Sequence, residues 1–382
     1  MKVIISGGGI AGLSAAGVLA QRGHDVRVFE RREGPSTLGA GIVSFPNATR
    51  VLRSFGLEEE VRGVAGTPRT MRRMSDRGER LGDLPLSVIN ERLGAPSYSI
   101  LRADLHEILT RFAEQSGATV EYSRRVTGVA EGGAVLLSDG RRLEADWVLG
   151  ADGRMSSPLR KFVLGDNQAR YGGFVSWIGV ARSAEHVFDP HTVLDVWGCG
   201  ERFGIVPISS RLAYFAGAAA MPRAAAHRSS IGPMLAERFS AWPQPVQETI
   251  RCADADSLRE IYVHDHDPID LWHRQRVLLI GDAAHAPLPT SGQGACQALE
   301  DAWHLGRLLD DGVPQAPSEL FPRFTAVRRE KANAIIGAGR GFAAMLFNPD
   351  PAFVSERNRR SRQTNFAEAA QGMAKLWAGA LG

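Results

Sequence analysis

The 382-residue sequence predicts an α/β fold: an open parallel sheet dressed with helices, a second and largely antiparallel β-sheet, and helices at the C-terminal end. Three observations carry this expectation. Residues 2–6, 147–151 and 276–280 are short apolar runs of the kind that strands buried on both faces show. Between residues 171 and 221 the texture changes to alternating segments at 173–180, 193–197, 203–207 and 212–218, the period of half-buried antiparallel strands. Past Gly294 the spacing of Leu299, Ala302, Leu305 and Leu309 marks one helix face, and residues 320–346 and 361–381 also read as helical.

Taken in order, Lys2-Val3-Ile4-Ile5-Ser6 is a strand, residues 13–22 form a helix with Gly17 as its only breaker, and Gly23 suits the helix end. Residues 25–29 are a second strand, closed by Glu30. The intervening Gly7-Gly8-Gly9-Ile10-Ala11-Gly12 places Gly-x-Gly-x-x-Gly between strand and helix, with an acid 18 residues beyond Gly12. That is a Rossmann-like dinucleotide-binding unit. Gly7 allows the tight turn, Gly9 lets a pyrophosphate approach the backbone, Gly12 permits close helix–strand packing, and Glu30 can accept ribose hydroxyls. A glycine-rich turn with no ligand would not need this placement.

Residues 31–35 are loop and 38–42 are again glycine-rich. A helix opens at Pro46 and stops at Gly56. Residues 67–90, with the turn Asp76-Arg77-Gly78, read as a small antiparallel patch. Arg102 starts a helix whose Leu105, Ile108, Leu109 and Phe112 share one face. Strands follow at 119–122 and 126–129, then a hairpin over 134–142 turning at Asp139-Gly140. Ser157-Pro158 reads as an N-cap followed by proline at the first helical position. Residues 231–242 should be helical and 257–264 a strand. The expected partition is a discontinuous dinucleotide-binding domain (1–66, 101–168, 266–345), a substrate-binding β domain (67–100, 169–265) and a C-terminal helical segment (346–382).

The composition, 44% hydrophobic and 23% charged with net charge +3, is that of an ordinary globular protein. Its densest basic cluster, at residues 357–362, reads as a solvated helix face; no nucleic-acid-binding motif accompanies it. Cys199, Cys252 and Cys296 contain no Cys-x-x-Cys, which argues for a reducing compartment and against a dithiol centre. No apolar run approaches the ~18 residues of a membrane span. The chain enters a strand at once, leaving no room for a signal peptide, so a cytoplasmic location is expected. The histidines form no metal-ligand cluster, and no metal is expected.

Three strand ends carry small residues with an acid: the opening glycines with Glu30, Gly150-Ala151-Asp152-Gly153, and Gly281-Asp282. Ligands of open parallel sheets lie beyond such ends, so the three together imply one extended ligand. Gly292-Gln293-Gly294 offers free N–H groups at a helix start, suited to negative charge on a flat heterocycle.

At these residues the sequence resembles the single-component, para-hydroxybenzoate-hydroxylase-like FAD monooxygenases, nearly end to end. Asp146-x-x-x-Gly150-Ala151-Asp152-Gly153 with Ser157-x-x-Arg160 matches the family's second motif. Gly281-Asp282-Ala283-Ala284-His285 with Pro289 and Gly292-Gln293-Gly294 matches the third, and Arg102-x-x-Leu105-x-x-x-Leu109 the family helix whose arginine contacts FAD. The resemblance implies FAD held by Gly7, Gly9, Gly12, Glu30, Arg31, Arg102, Val126, Asp152, Asp282 (on the ribitol), Pro289, Gly292, Gln293 and Gly294. It implies NADH or NADPH as a transient reductant, since no second glycine fingerprint follows a strand. O2 would then form a flavin C4a-hydroperoxide that hydroxylates an aromatic or heteroaromatic small molecule, in a monomer or homodimer. The alternative is an NAD(P)H-dependent flavin reductase or oxidase of the same fold without oxygen transfer. A tryptophan halogenase is disfavoured, because Trp177 has no second tryptophan two residues away.

Arg202-x-x-x-x-Pro207-x-x-x-x-x-x-Tyr214 has the spacing of an arginine and a tyrosine in urate-hydroxylase-like members, and residues 173–179 and Cys296 are similar to that branch. The resemblance assigns Arg202 to substrate anion binding and Tyr214 to substrate orientation; a surface arginine and a core tyrosine are the alternatives. Val43 departs from both the histidine of hydroxynicotinate-hydroxylase-like members and the serine of the urate branch, so neither substrate carries over. His285 reads as structural, and Cys296 as a small buried core residue.

Overall fold

The computed structural model describes residues 1–34, 40–131, 133–223 and 230–379; Pro35, Leu38, Gly39 and the last residues of the expected 361–381 helix lie outside them. A six-stranded sheet runs in the order His273–Arg274, Val277–Leu279, Trp147–Gly150, Lys2–Ser6, Asp25–Phe29, Thr119–Glu121, parallel except at the His273–Arg274 edge. The helix Ile10–Ala20 begins three residues earlier than its apolar run suggests, and all of its residues are buried. It lies between this sheet and the helices Arg102–Gln115 and Gly294–Asp310. That location explains a sequence apolar all round instead of striped. Gly17 is required because the Phe112 ring occupies the space a Cβ would need.

The second sheet has seven strands in the order Arg259–Asp265, Arg170–Arg182, Leu212–Ala220, Glu201–Pro207, Thr192–Trp197, Thr70–Ser75, Arg80–Pro85. All neighbours are antiparallel except Thr192–Trp197 and Thr70–Ser75. Val175, Trp177, Val196, Phe203, Ile205 and Phe215 form the core on one face, against the helices Ile231–Arg238 and Gln244–Arg251. The alternate residues on the other face meet the first half of the molecule and the long helix Pro317–Leu346, where Trp197 packs with Phe342 and Leu346.

Several elements correct the sequence reading. Residues 67–90 are not a separate patch: two strands join the large sheet, and Leu86–Leu93 is a helix whose Leu86, Ile89 and Leu93 are buried, closed by Gly94 at φ +68°. The single helix expected over 361–381 is two, Pro351–Gln363 and Phe366–Ala378; Asn365 Oδ1 stops the run by accepting from the amides of Ala367 (3.1 Å) and Glu368 (3.3 Å). The basic cluster is only partly solvated. Arg359 and Arg360 are exposed and pair with Glu356. Arg357 is buried, its Nη2 donating to Gly198 O at 3.1 Å and its guanidinium 5.4 Å from the Trp197 ring. Helices Glu58–Val64 and Gln244–Arg251 had no clear signature in the sequence.

The last helix is keyed into the middle of the chain. Trp377 packs on Phe45 with ring centroids 4.3 Å apart, and the Phe45 ring would lie 3.1 Å from a Cβ at Gly292. Lys331 Nζ donates to Trp377 O. Removing this buried indole creates a cavity at three elements at once, so Trp377→Ala is expected to cost about 3–5 kcal/mol, read as a lowered urea midpoint with an unchanged slope.

Candidate active site

The crevice beyond the carboxyl ends of the parallel strands is built by glycine. Gly7 sits at φ +106° against the Ala151 carbonyl, and Gly12 packs on Gly7 O; a Cβ at either would overlap backbone. Above Gly9 the space is open, with nothing within 4 Å of where a Cβ would be. The amides of Gly9, Ile10, Ala11 and Gly12 have no acceptor among the described residues, and they sit at the positive end of a helix. The loop is braced from both sides. Glu30, buried, accepts from Gly8 N at 2.8 Å and Arg32 N at 3.0 Å, and His106 Nε2 donates to Gly8 O at 2.7 Å. The arrangement has the free N–H groups and positive helix end that can receive an anion such as a pyrophosphate.

Arg102 and Asp282 face this crevice from other elements. Arg102 opens the helix Arg102–Gln115, and its guanidinium has no hydrogen bond or ion pair among the described residues. Burial pulls its pKa down, while the nearby Asp282 charge opposes that. Asp282 follows Gly281, itself at φ +57°. Its Oδ2 accepts from Arg154 Nη2 at 2.6 Å and Nε at 3.0 Å, and its Oδ1 has no donor among the described residues. Burial works to raise the Asp282 carboxyl, but the Arg154 and Arg102 charges hold it below the usual carboxylate range, so it stays ionised. Asp152 lies at Gly7, bonded to the Ser157 hydroxyl, and burial pushes it up to about 6 against that bond. Ser157 also accepts from Arg160 N at 2.8 Å, the expected N-cap. Arg31 is exposed, its Nη1 donating to Ser156 at 3.2 Å. Val126 is not brought to the crevice by its side chain, which is buried in the core.

The loop after Asp282 rests on a buried ionic network. Asp301 Oδ2 accepts from Gly281 N and His285 Nε2, both at 2.7 Å, and the His285 ring lies 5.0 Å from Trp272; the histidine is structural. Arg328, fully buried, joins Asp301 Oδ1 (2.7 Å) to Glu300 Oε2 (2.8 Å). Glu300 Oε1 in turn accepts from Lys331 Nζ at 2.8 Å and from Asn47 Nδ2 at 2.7 Å; the same amide reaches Gln293 Oε1 at 2.9 Å. Every link fixes either the Gly281 strand end or the Gly292-Gln293-Gly294 loop. Gly292 turns the chain at φ +65°, after the turn Pro289–Ser291, whose Pro289 is exposed. The Gly294 and Ala295 amides at the helix start have no acceptor among the described residues.

On the second sheet Arg202 and Tyr214 share a face. Their partners across the strand pair are Ala218 and Val206, with Gly204 opposite Ala216 between them. Four residues of strand separate the two ends by about 13 Å. A Cβ at Gly204 would meet only the Ala216 carbonyl, at 3.9 Å, so the sheet surface between Arg202 and Tyr214 is bare at Gly204, a bay between the two side chains. The Tyr214 ring lies flat on Gly41, where a side chain would collide with it. Burial drives the Tyr214 phenol far above its ordinary pKa, with Cys296 adding to the effect, so it remains a donor. Cys296 is buried, and burial pushes its thiol up to about 12, which favours the protonated form at neutral pH. Arg202 Nε donates to Asp195 Oδ1 at 2.6 Å. Sequence reasoning missed Arg154, Asp195, Arg73 and the Arg328 network; only Arg154, inside the Asp152–Arg160 motif, had a signal pointing to it.

These features define the class. The chain belongs to the FAD binding domain family, whose model matches residues 1–338, and it is of the FAD-dependent monooxygenase type. It is 34% identical over 340 residues to the aurachin C monooxygenase/isomerase of Stigmatella aurantiaca, covering 88% of this chain and 87% of that protein. It is 34% identical over 316 residues to an FAD-dependent urate hydroxylase of Klebsiella pneumoniae, covering 81% of each. The structure of Klebsiella pneumoniae HpxO complexed with FAD and uric acid superposes with a TM-score of 0.90 at 30% identity, over 100% of this chain and 98% of that one.

A carboxyl that titrates higher when folded takes up a proton on folding, so its stabilising contribution is present at low pH and lost as the pH rises through about 6. The FAD-free protein is therefore expected to gain stability between pH 7 and pH 5 by an increment that Asp152→Asn removes, measured as paired urea titrations.

Proposed function

We propose that this protein uses NADH or NADPH and O2 to hydroxylate an aromatic or heteroaromatic small molecule that carries an anionic group. The parallel-sheet half (1–66, 101–168, 266–345) holds FAD and the β-sheet half (67–100, 169–265) holds the substrate. The free cysteines and the absence, among the described residues, of a helix long and apolar enough to cross a membrane accord with a cytoplasmic enzyme.

In this reading the amides of residues 9–12 and Arg102 bind the pyrophosphate, Glu30 a ribose, Asp282 Oδ1 the ribityl chain, and the Gly294 and Ala295 amides the electron-rich edge of the ring. FAD, when bound, supplies the two-electron acceptance from the nicotinamide and the activation of O2. The chain's own residues do the rest. Arg202 binds the anion of the substrate through its free Nη groups, and the Tyr214 hydroxyl, kept protonated by burial, donates to the substrate and sets its orientation. The bare Gly204–Ala216 floor, with Gly41 against the Tyr214 ring at one end, leaves room for a flat ring.

The observation that carries this reading is the bare stretch of sheet between a guanidinium and a half-buried phenol, in a protein whose other half has the glycine-built crevice of a dinucleotide-binding fold. The relatives' printed activities support ring oxygenation: urate in one, aurachin C in another. The charged Arg202 favours a ring that bears an anionic group.

Three outcomes test the proposal. Incubation with ¹⁸O2, NADH and candidate ring acids should give a product with one ¹⁸O and substrate-accelerated NADH oxidation; label arriving from water instead refutes oxygen transfer. Asp282→Ala should weaken FAD binding about 100-fold, the loss of a charge-assisted bond, seen as colourless protein after gel filtration. Arg202→Ala should raise the substrate KM at least tenfold at full FAD occupancy.

A further inference from the structure

The charges behind Arg202 carry the reading just proposed one step further. Arg73, Asp195 and Arg202 stand on the same face of the large sheet, and Arg73 is the direct register partner of Asp195. Asp195 is fully buried. Its Oδ1 accepts from Arg202 Nε at 2.6 Å, and its Oδ2 has no hydrogen-bond partner among the described residues. With Nε engaged, both Nη groups of Arg202 remain without a partner among the described residues.

Arg73 is stranger. Its guanidinium makes no hydrogen bond or ion pair among the described residues, and its Nε is buried without a partner. Aromatic rings cage it instead: Trp197 and Phe366 at 5.0 Å and Phe342 at 5.9 Å, the same Phe342 that lies 5.8 Å from Arg202. Arg357, on the Trp197 ring as well, spends its N–H groups on Gly198 O, Leu346 O and Asn358 Oδ1, with Asp76 the main opposing charge it feels. Counting Arg73, Arg202 and Arg357 against Asp195 and Asp76 leaves one positive charge in excess at this end of the bay. Arg73 as a whole is half-buried, but its Nε is out of water with no acceptor, and an unpaired polar atom there is costly where packing alone does not call for one.

We propose that Arg73 and Asp195 set the substrate class: Asp195 holds Arg202 by its Nε so that the Nη pair stays free as a fork, and Arg73 supplies the surplus charge that selects a ring bearing one negative group over its neutral counterpart. Asp195 is a positioning residue; Arg73 determines specificity through the field it adds.

Isothermal titration calorimetry on the purified FAD-bearing protein, with 4-hydroxybenzoate and urate as anionic probes and 4-hydroxybenzamide as the neutral one, tests this. The wild-type protein should bind an anionic probe at least tenfold tighter than the amide. Arg73→Met, which keeps an unbranched chain in the ring cage, should remove that preference and leave the amide affinity unchanged. Asp195→Asn adds net positive charge, so a pure field effect would strengthen anion binding; positioning predicts that the preference falls, and a rise overturns the role of Asp195. If Asp195→Asn fails to fold, as read by circular dichroism, Arg73→Met decides. A wild-type protein with no anion preference, or one retained in full by Arg73→Met, overturns the inference. A colourless protein that takes up no FAD refutes the flavin reading instead, and calorimetry still reads the bay.

Discussion

The structure depends on one buried ionic cluster, Arg328 between Glu300 and Asp301. A guanidinium fully out of water survives only if its donors are satisfied, and here Asp301, Glu300 and Gln297 accept from all three of its nitrogens. The carboxylates then have lone pairs left to organise something else. Asp301 holds the Gly281 amide and His285, and Glu300 holds Lys331 and Asn47. One helix, Pro317–Leu346, thereby fixes both the strand end that presents Asp282 and the loop that presents the Gly294 amide. In a low-dielectric interior such a network is stiff because every member polarises its neighbours. Stiffness is what a flavin site requires, since its donors must be in place before the charge develops.

Around that anchor the two halves meet through omitted side chains. Gly7 and Gly12 let the first strand, its helix and the Trp147–Gly150 strand close up, and Gly41 accepts the Tyr214 ring. Gly204 leaves room where the bay needs it. The charged groups occupy the rims of these spaces: Arg102, Asp282 and Arg154 on one side, Arg202, Asp195 and Arg73 on the other.

Much of this was legible before the structure. The opening βαβ unit, the strand-end acids, the Ser157 cap and the alternating strands of 171–221 follow from local periodicity and turn chemistry. What was not legible is pairing over distance. Arg154 lies inside a recognisable motif, but its partner Asp282 is 128 residues away. Arg73 and Asp195 become neighbours only through a parallel strand pair, whose register no local pattern reveals. Arg328 is one arginine among many on a long helix, and nothing in its spacing separates it from solvated neighbours. The helix Leu86–Leu93 was hidden because Leu84, Leu86 and Val88 alternate as a strand's residues do, although the buried Leu86, Ile89 and Leu93 have helical spacing. Arg357 was misread because a run of arginines looks uniformly wet, whereas one of them stacks on Trp197.

The docking of the final helix onto Phe45, and of Lys331 onto the carbonyl of Trp377, has a consequence for biogenesis. The nucleotide crevice draws on residues from the seventh to beyond the three-hundredth, and its Gly292-Gln293-Gly294 loop is buttressed through Phe45 by Trp377, made hundreds of residues after the opening glycines. A ribosome-bound chain that has completed only its opening βαβ unit has the fingerprint but not the receptor. The receptor is therefore complete only when the opening fingerprint and Trp377 are present in the same folded chain, so it matures long after its glycine-rich loop has been made.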